Sequence, residues 1–317
     1  MDDLRLVGLE EVRAAAARIA GAVRRTPLMA VGPAKMPAAA APLSLKLECL
    51  QVTGSFKARG AVSMLRSLPA AAVARGLVTA SGGNHGLGVA YAGWLAGVPA
   101  RVYLPLSAPK AKAEKLARWG AEPVFAGAAW DESNALALAE AESRGLAYIH
   151  PFADRAVIAG QGTIGLEMLA DDPALDTVLV AIGGGGLIAG VATALKALKP
   201  GIKVVGIEPT GAPTLHASLA AGHIVALAEV TTRAGTLAAK RTAPLTFAHV
   251  QRNVDAILLV SDEEMREAAA WLWFDLGLAV ELSAAAALAA LRTGRYKPSQ
   301  GERVAAIVCG AGTDGLD

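Results

Sequence analysis

An open α/β architecture, with mostly parallel sheets covered by helices, follows from three observations on the 317-residue chain. Strand-like apolar runs alternate with helix-like segments from one end to the other. The strands read as unbroken apolar runs, such as Val178-Leu179-Val180-Ala181-Ile182 and Val204-Val205-Gly206-Ile207, which sheets buried on both faces require. The glycine clusters fall on turns that leave a strand and enter a helix, the edge of an α/β sheet where ligands bind.

Taken in order, a helix is predicted over 10–24, a strand over 44–50 and a helix over 58–68. Strands over 77–80, 100–104, 122–126 and 146–149 then alternate with helices over 85–97, 109–119, 131–144 and 155–170. The pattern continues with strands at 177–182, 202–208, 256–260 and 303–309, and helices at 187–198, 262–276 and 281–292. Ser261 with Glu264 forms a capping box at one helix start, and Asp131 is the expected N-cap at another. Such alternation means βαβ units, with no internal repeat or low-complexity linker.

Composition narrows the function. Hydrophobic residues make up 54% and charged ones 18%, as in a compact enzyme and unlike a disordered chain. A net charge of +2, without a basic run or aromatic-interleaved patch, excludes nucleic acid and membrane as expected partners. Cys49 and Cys309 are too few for a disulfide framework and are expected as buried free thiols. The start Met1-Asp2-Asp3 is acidic with no signal-like apolar core, and no apolar run has spanning length; Glu281 interrupts the run 279–290. A cytoplasmic location is expected.

Three segments carry the chemistry. In Thr53-Gly54-Ser55-Phe56-Lys57-Ala58-Arg59-Gly60-Ala61, one lysine sits among small residues just after a strand. Partial burial, or a cationic neighbour such as Arg59, would depress its pKa and make it a nucleophile. In Ser81-Gly82-Gly83-Asn84-His85-Gly86, amides at a helix start and the Ser81 hydroxyl can hold a carboxylate, and Asn84 offers an amide to a phenolic oxygen. His85, in a first helical turn, is expected to be structural. Gly183 to Gly186 open a helix at Leu187, where backbone amides converge on an anion. A carbonyl-capturing amine, a polar cradle and a phosphate cradle together suggest pyridoxal phosphate. A rival reading takes Gly184-x-Gly186-x-x-Ala189 with Glu208 as a dinucleotide fingerprint of an NAD-dependent oxidoreductase, leaving the other two segments unexplained.

Lys46-Leu47-Glu48 with Thr53 to Ala61, the Ser81–Gly86 loop, Gly160-Gln161-Gly162-Thr163, Gly183–Leu187, Gly206-Ile207-Glu208-Pro209 and Cys309-Gly310-Ala311-Gly312 resemble the fold-type II pyridoxal-phosphate enzymes. Within them the likeness is to the threonine/serine dehydratase and serine racemase family, and it spans nearly the whole chain. It implies a tryptophan synthase β-like fold with the cofactor between two domains. Residues 1–75 and 152–317 would form the large domain and 76–151 a small mobile one. It also implies that Lys57 carries the cofactor, with Phe56, Asn84, Gly183, Gly184, Gly185, Gly186, Leu187, Glu281 and Cys309 around it. Ser81, Gly82, Asn84 and His85 would face an amino-acid substrate, in a homodimer. The expected reaction is dehydration of a β-hydroxy amino acid, threonine or serine by default; hydroxyaspartate, phenylserine and hydroxyectoine catabolism are alternatives. No C-terminal regulatory domain, and hence no feedback inhibition, is expected.

Three departures qualify the resemblance. Gly82 stands where racemases of the family carry a serine acid/base. Cys309 stands where a serine usually faces the pyridine nitrogen, and Gly312 replaces that segment's asparagine. Some relatives hold a divalent cation on a glutamate, a backbone carbonyl and an aspartate. Glu208 and Ala212 match the first two, but Thr214 stands at the third, which leaves the cation open.

Overall fold

The computed structural model describes residues 5–108 and 110–316. The acidic start Met1–Asp3, the first position of the 109–119 helix and Asp317 lie outside the described residues. The strands, in chain order, are β1 (Leu28–Ala30), β2 (Leu43–Lys46), β3 (Leu77–Ala80), β4 (Ala100–Leu104) and β5 (Glu122–Phe125). They continue with β6 (Ala147–Tyr148), β7 (Thr177–Ala181), β8 (Lys203–Pro209), β9 (Ala256–Val260) and β10 (Val304–Ile307).

Two sheets form. The larger runs β1-β2-β10-β7-β8-β9 and is parallel except for the β1–β2 pair, where Leu28 lies opposite Lys46. The smaller runs β5-β4-β3-β6 and is wholly parallel. Strands β7 and β10 are buried at every position, as apolar strands covered on both faces must be. The core of the smaller sheet, Leu77, Val102, Leu104 and Ile149, is completed by Ala61 and Leu65 of helix Lys57–Leu65 and by Val157 of helix Arg155–Asp171. Helix Lys57–Leu65 also packs closely on helix Arg155–Asp171, where a Cβ on Gly160 would meet the Arg59 carbonyl at 2.7 Å.

Several expectations needed correction. The 44–50 strand stops at Lys46, and Glu48–Leu50 coil into a 3₁₀ turn whose Cys49 N–H still donates to the Val308 carbonyl at 2.9 Å. The first helix ends at Ile19, short of residue 24, and Gly21 takes a left-handed φ of 73° beyond it. Asp131 is not an N-cap: the helix begins at Trp130, and the Glu132 carboxylate accepts the Ala128 N–H at 2.8 Å instead. The 281–292 segment divides into a 3₁₀ turn, Leu282–Ala285, and helix Ala286–Arg292. Strand β1 and helices Ala70–Val73, Thr214–Ala221 and Pro244–Asn253 were not foreseen. The Ser261–Glu264 box is present in both directions, with bonds of 3.1 and 2.6 Å.

Candidate active site

Four turns meet at the carboxyl ends of the strands: the Ser81 loop after β3, His150-Pro151-Phe152 after β6, the glycine loop after β7 and the Cys309 segment after β10. Lys57 opens its helix beneath them. Its Nζ donates to the Pro151 carbonyl at 2.6 Å and lies 5.2 Å from the centre of the Phe56 ring. Burial pulls its pKa down to about 8, against the opposing pull of Cys309 and Glu281. The backbone of Lys57 is in turn seated against helix Asn84–Ala96, since a Cβ on Gly88 would meet the Lys57 carbonyl at 3.1 Å.

Arg59 is not the cause of that lowering. It is fully buried and discharges its guanidinium onto Glu48 and Glu167 through four bonds of 2.7 to 2.8 Å. Lys46 joins the same network, its Nζ donating to Glu167 at 2.6 Å and to the Thr26 carbonyl at 2.7 Å. The two cations are balanced by two carboxylates, so the group ties β2, the Lys57 helix and helix Arg155–Asp171 together without projecting charge toward Lys57.

The glycine loop is hemmed by side chains and backbone. A Cβ on Gly184 would lie 2.3 Å from the Phe152 ring, one on Gly186 2.7 Å from Phe152 Cβ, and one on Gly183 2.7 Å from the Thr236 carbonyl. Gly185 has φ 91°, a left-handed value that favours glycine. Among the described residues, none of the amides of Gly183 to Leu187 donates to the protein, and helix Gly186–Leu198 points its amino end at them. Unused amides at a helix start suit a phosphate.

Across the site, Asn84 donates to both oxygens of Glu281 at 2.9 Å, and Ser283 donates to the same carboxylate at 2.6 Å. Burial raises the Glu281 pKa, although the bonds from Ser283 and Asn84 work against it. Asn84 thus spends its amide on Glu281 rather than projecting it freely. Cys309 is buried, and burial, helped by Glu281, pushes its pKa well above the ordinary value, so the thiol is neutral. The Phe56 N–H donates to the Cys309 carbonyl at 3.3 Å, joining this segment to the lysine turn. Gly83 and Gly183 both abut Thr236, which brings the Ser81 loop and the glycine loop to one wall.

His85 is buried, with Nε2 on the Ile149 carbonyl at 2.9 Å, and burial drives its pKa well below the ordinary value. It is a neutral strut, as a first-turn histidine should be. Ser81 accepts the Gly83 N–H at 3.4 Å. A Cβ on Gly82 would meet Leu104 Cδ2 at 3.1 Å, so Leu104 lies against the position where a side chain would stand. A cleft of about 390 Å³, lined by Thr53, Gly54, Asn84, Lys115, Trp119 and Gly312 among others, opens beside these loops.

Glu208 and Ala212 do not join the group. Glu208 is fully buried, its two oxygens accepting the Leu215 and His216 amides at 2.8 Å each; burial lifts its pKa to about 7. The dinucleotide reading fails here, because this carboxylate is closed off from any ribose. Pro151, Phe152, Thr236 and Ser283 were missed from sequence. A signal existed for the first two, which follow a strand at the edge that holds the other loops.

A pyridoxal-phosphate dependent enzyme model matches residues 19–310, and the chain belongs to that family. An L-threonine ammonia-lyase of Geobacter sulfurreducens is 42% identical over 84% of this chain; the chain spans 66% of that relative's length. A phenylserine dehydratase of Ralstonia pickettii is 38% identical over 99% of this chain and 96% of its own. Maize serine racemase superposes with a TM-score of 0.92 at 36% identity, covering 97% of this chain and 94% of that one. The fold is that of the fold-type II enzymes and the cofactor is pyridoxal 5'-phosphate. Among the described residues, no helix is long and apolar enough to cross a membrane.

Proposed function

We propose that this chain is an ammonia-lyase that dehydrates a β-hydroxy amino acid, L-threonine or L-serine by default, to a 2-oxo acid and ammonia. The observation that carries this reading is one desolvated amine in a site whose position for a racemase's second acid/base, on the family resemblance, is a glycine. Lys57 is held with a lowered pKa, while Leu104 crowds the side-chain position at Gly82 that a second acid/base would need. One base on one face suits elimination and disfavours racemisation, which must return a proton to the other face.

In this reading Lys57 carries the cofactor, the amides of Gly183 to Leu187 hold its phosphate, and Phe56, Asn84, Glu281 and Cys309 surround its ring. Bound there, pyridoxal phosphate supplies an electron sink that acidifies the substrate's Cα–H. Once the substrate's amine has taken its place on the cofactor, the freed Lys57 Nζ would accept that proton, and its fall in pKa leaves a useful fraction unprotonated near neutrality. The neutral Cys309 thiol donates weakly and leaves the sink modest. Elimination tolerates this, because the departing β-hydroxyl takes the electron pair. Ser81 and the amides that open helix Asn84–Ala96 hold the carboxylate. The proton taken by Lys57 would be returned to the β-hydroxyl, which leaves as water, and the released enamine takes up water to give the 2-oxo acid and ammonia. Residues 76–151, which contain the whole four-stranded sheet, are the lobe we expect to close on substrate. A cytoplasmic homodimer completes the reading.

The phenylserine dehydratase relative favours one second substrate, an aromatic β-hydroxy amino acid. The test is to incubate the cofactor-loaded protein with L-threonine, L-serine and phenylserine and to measure 2-oxo acid and ammonia. Equimolar release from any of them supports the proposal and ranks the substrates. Interconversion of L- and D-serine without 2-oxo acid, or no product from all three, overturns it.

A further inference from the structure

The cation that the family resemblance raises finds no vacancy among its expected ligands. Both Glu208 oxygens already accept amide protons at 2.8 Å, from Leu215 and His216. These amides open helix Thr214–Ala221, whose preceding residue is Pro213 and which has no side-chain cap of its own. A cation placed on this carboxylate would face two N–H dipoles and the positive end of a helix. The Ala212 carbonyl accepts the Thr214 N–H at 2.9 Å, and the Thr214 hydroxyl donates to the Ala239 carbonyl. Among the described residues, no three His, Cys, Asp or Glu side chains are grouped to hold a metal.

The clamped helix also reaches the glycine loop. Leu215 is fully buried, and its Cδ1 stands 2.6 Å from where a Cβ on Gly185 would lie; Thr246 Cγ2 stands at 2.7 Å. Glu208 holds the amide of the residue whose side chain braces Gly185.

We infer that Glu208 binds no divalent cation in this chain, and that it acts instead as a remote helix cap which, through Leu215, positions Gly185 of the phosphate cradle. Glu208 is then a positioning residue. The inference rests on the reading of Gly183–Leu187 as that cradle.

Three measurements test it. Metal analysis of the holoenzyme should find less than about a tenth of an equivalent of divalent cation. Chelation followed by added magnesium, manganese or calcium should leave turnover and melting temperature unchanged. Fluorescence titration of the apo protein should show Glu208→Ala and Leu215→Ala each weakening pyridoxal phosphate tenfold or more. Should Glu208→Ala not fold, Leu215→Ala decides. Stoichiometric metal whose removal lowers the melting temperature would overturn the inference. So would cofactor affinity within twofold of wild type in Leu215→Ala while Gly185→Ala loses it. Wild-type affinity in Gly185→Ala would instead discard the cradle reading itself.

Discussion

The buried charge group around Arg59 gives a quantitative handle on how the lysine turn is held. Arg59→Met removes the guanidinium while keeping much of its apolar stem, so the loss reports charge more than cavity. Four bonds of 2.7 to 2.8 Å to Glu48 and Glu167 disappear, and two carboxylates are left to share Lys46. Removing one partner from a buried ionic group costs about 3–5 kcal/mol, because the remaining charge stays desolvated. For a chain of 317 residues that corresponds to a fall of roughly 5–8 °C in melting temperature. Differential scanning calorimetry of the apo protein reads it directly. Adding Glu48→Gln removes the surplus charge, so the double variant should melt higher than Arg59→Met alone. A single variant within 2 °C of wild type, or a double variant that is lower still, would refute the argument.

Two further outcomes follow from titrating groups. Cofactor capture by the apo protein should accelerate about tenfold per pH unit up to about pH 8 and then level off, the behaviour of an amine with the Lys57 pKa; stopped-flow absorbance reads it, and a rise continuing to pH 10 would contradict the lowering. The same midpoint in Arg59→Met would show that burial, not Arg59, sets it. Buried His249 accepts the Val7 N–H at 3.0 Å, and burial lowers its pKa from 6.5 to about 4. The unfolded chain therefore takes up a proton that the fold refuses. Stability present above pH 6.5 is lost as pH falls toward 4, by about 3 kcal/mol for this one group. His249→Asn should flatten the urea-unfolding profile over that range by about one proton; an unchanged slope would contradict the assignment.

What could be read from sequence was whatever depends on neighbours along the chain. The unbroken apolar runs at 177–182 and 202–208 announced buried parallel strands, and the Ser261–Glu264 box is a contact between residues three apart. Lys57 and the glycine loop stood out because each concentrates unusual residues in one short turn next to a strand. Strand β1 was not, since three residues at a sheet edge carry no periodic signal. The partners of Arg59 were hidden for a different reason: Glu167 lies 108 positions away, and no local pattern announces such a pairing. The glycine loop shows the same limit from another side. Four glycines suggested a phosphate, yet Gly184 and Gly186 also leave room for Phe152, a residue 32 to 34 positions earlier that only the fold brings near.

Lys57 is expected to hold pyridoxal phosphate for elimination from a β-hydroxy amino acid. The most direct measurement is the visible absorption spectrum of the purified protein beside that of Lys57→Ala, each before and after adding L-threonine. The expected result is a visible band from pyridoxal phosphate linked to a lysine that changes on addition of L-threonine as 2-oxo acid is released. The variant should lack both the lysine-linked band and turnover. A variant that keeps near-normal turnover, or a wild-type spectrum without a band after loading, would contradict it.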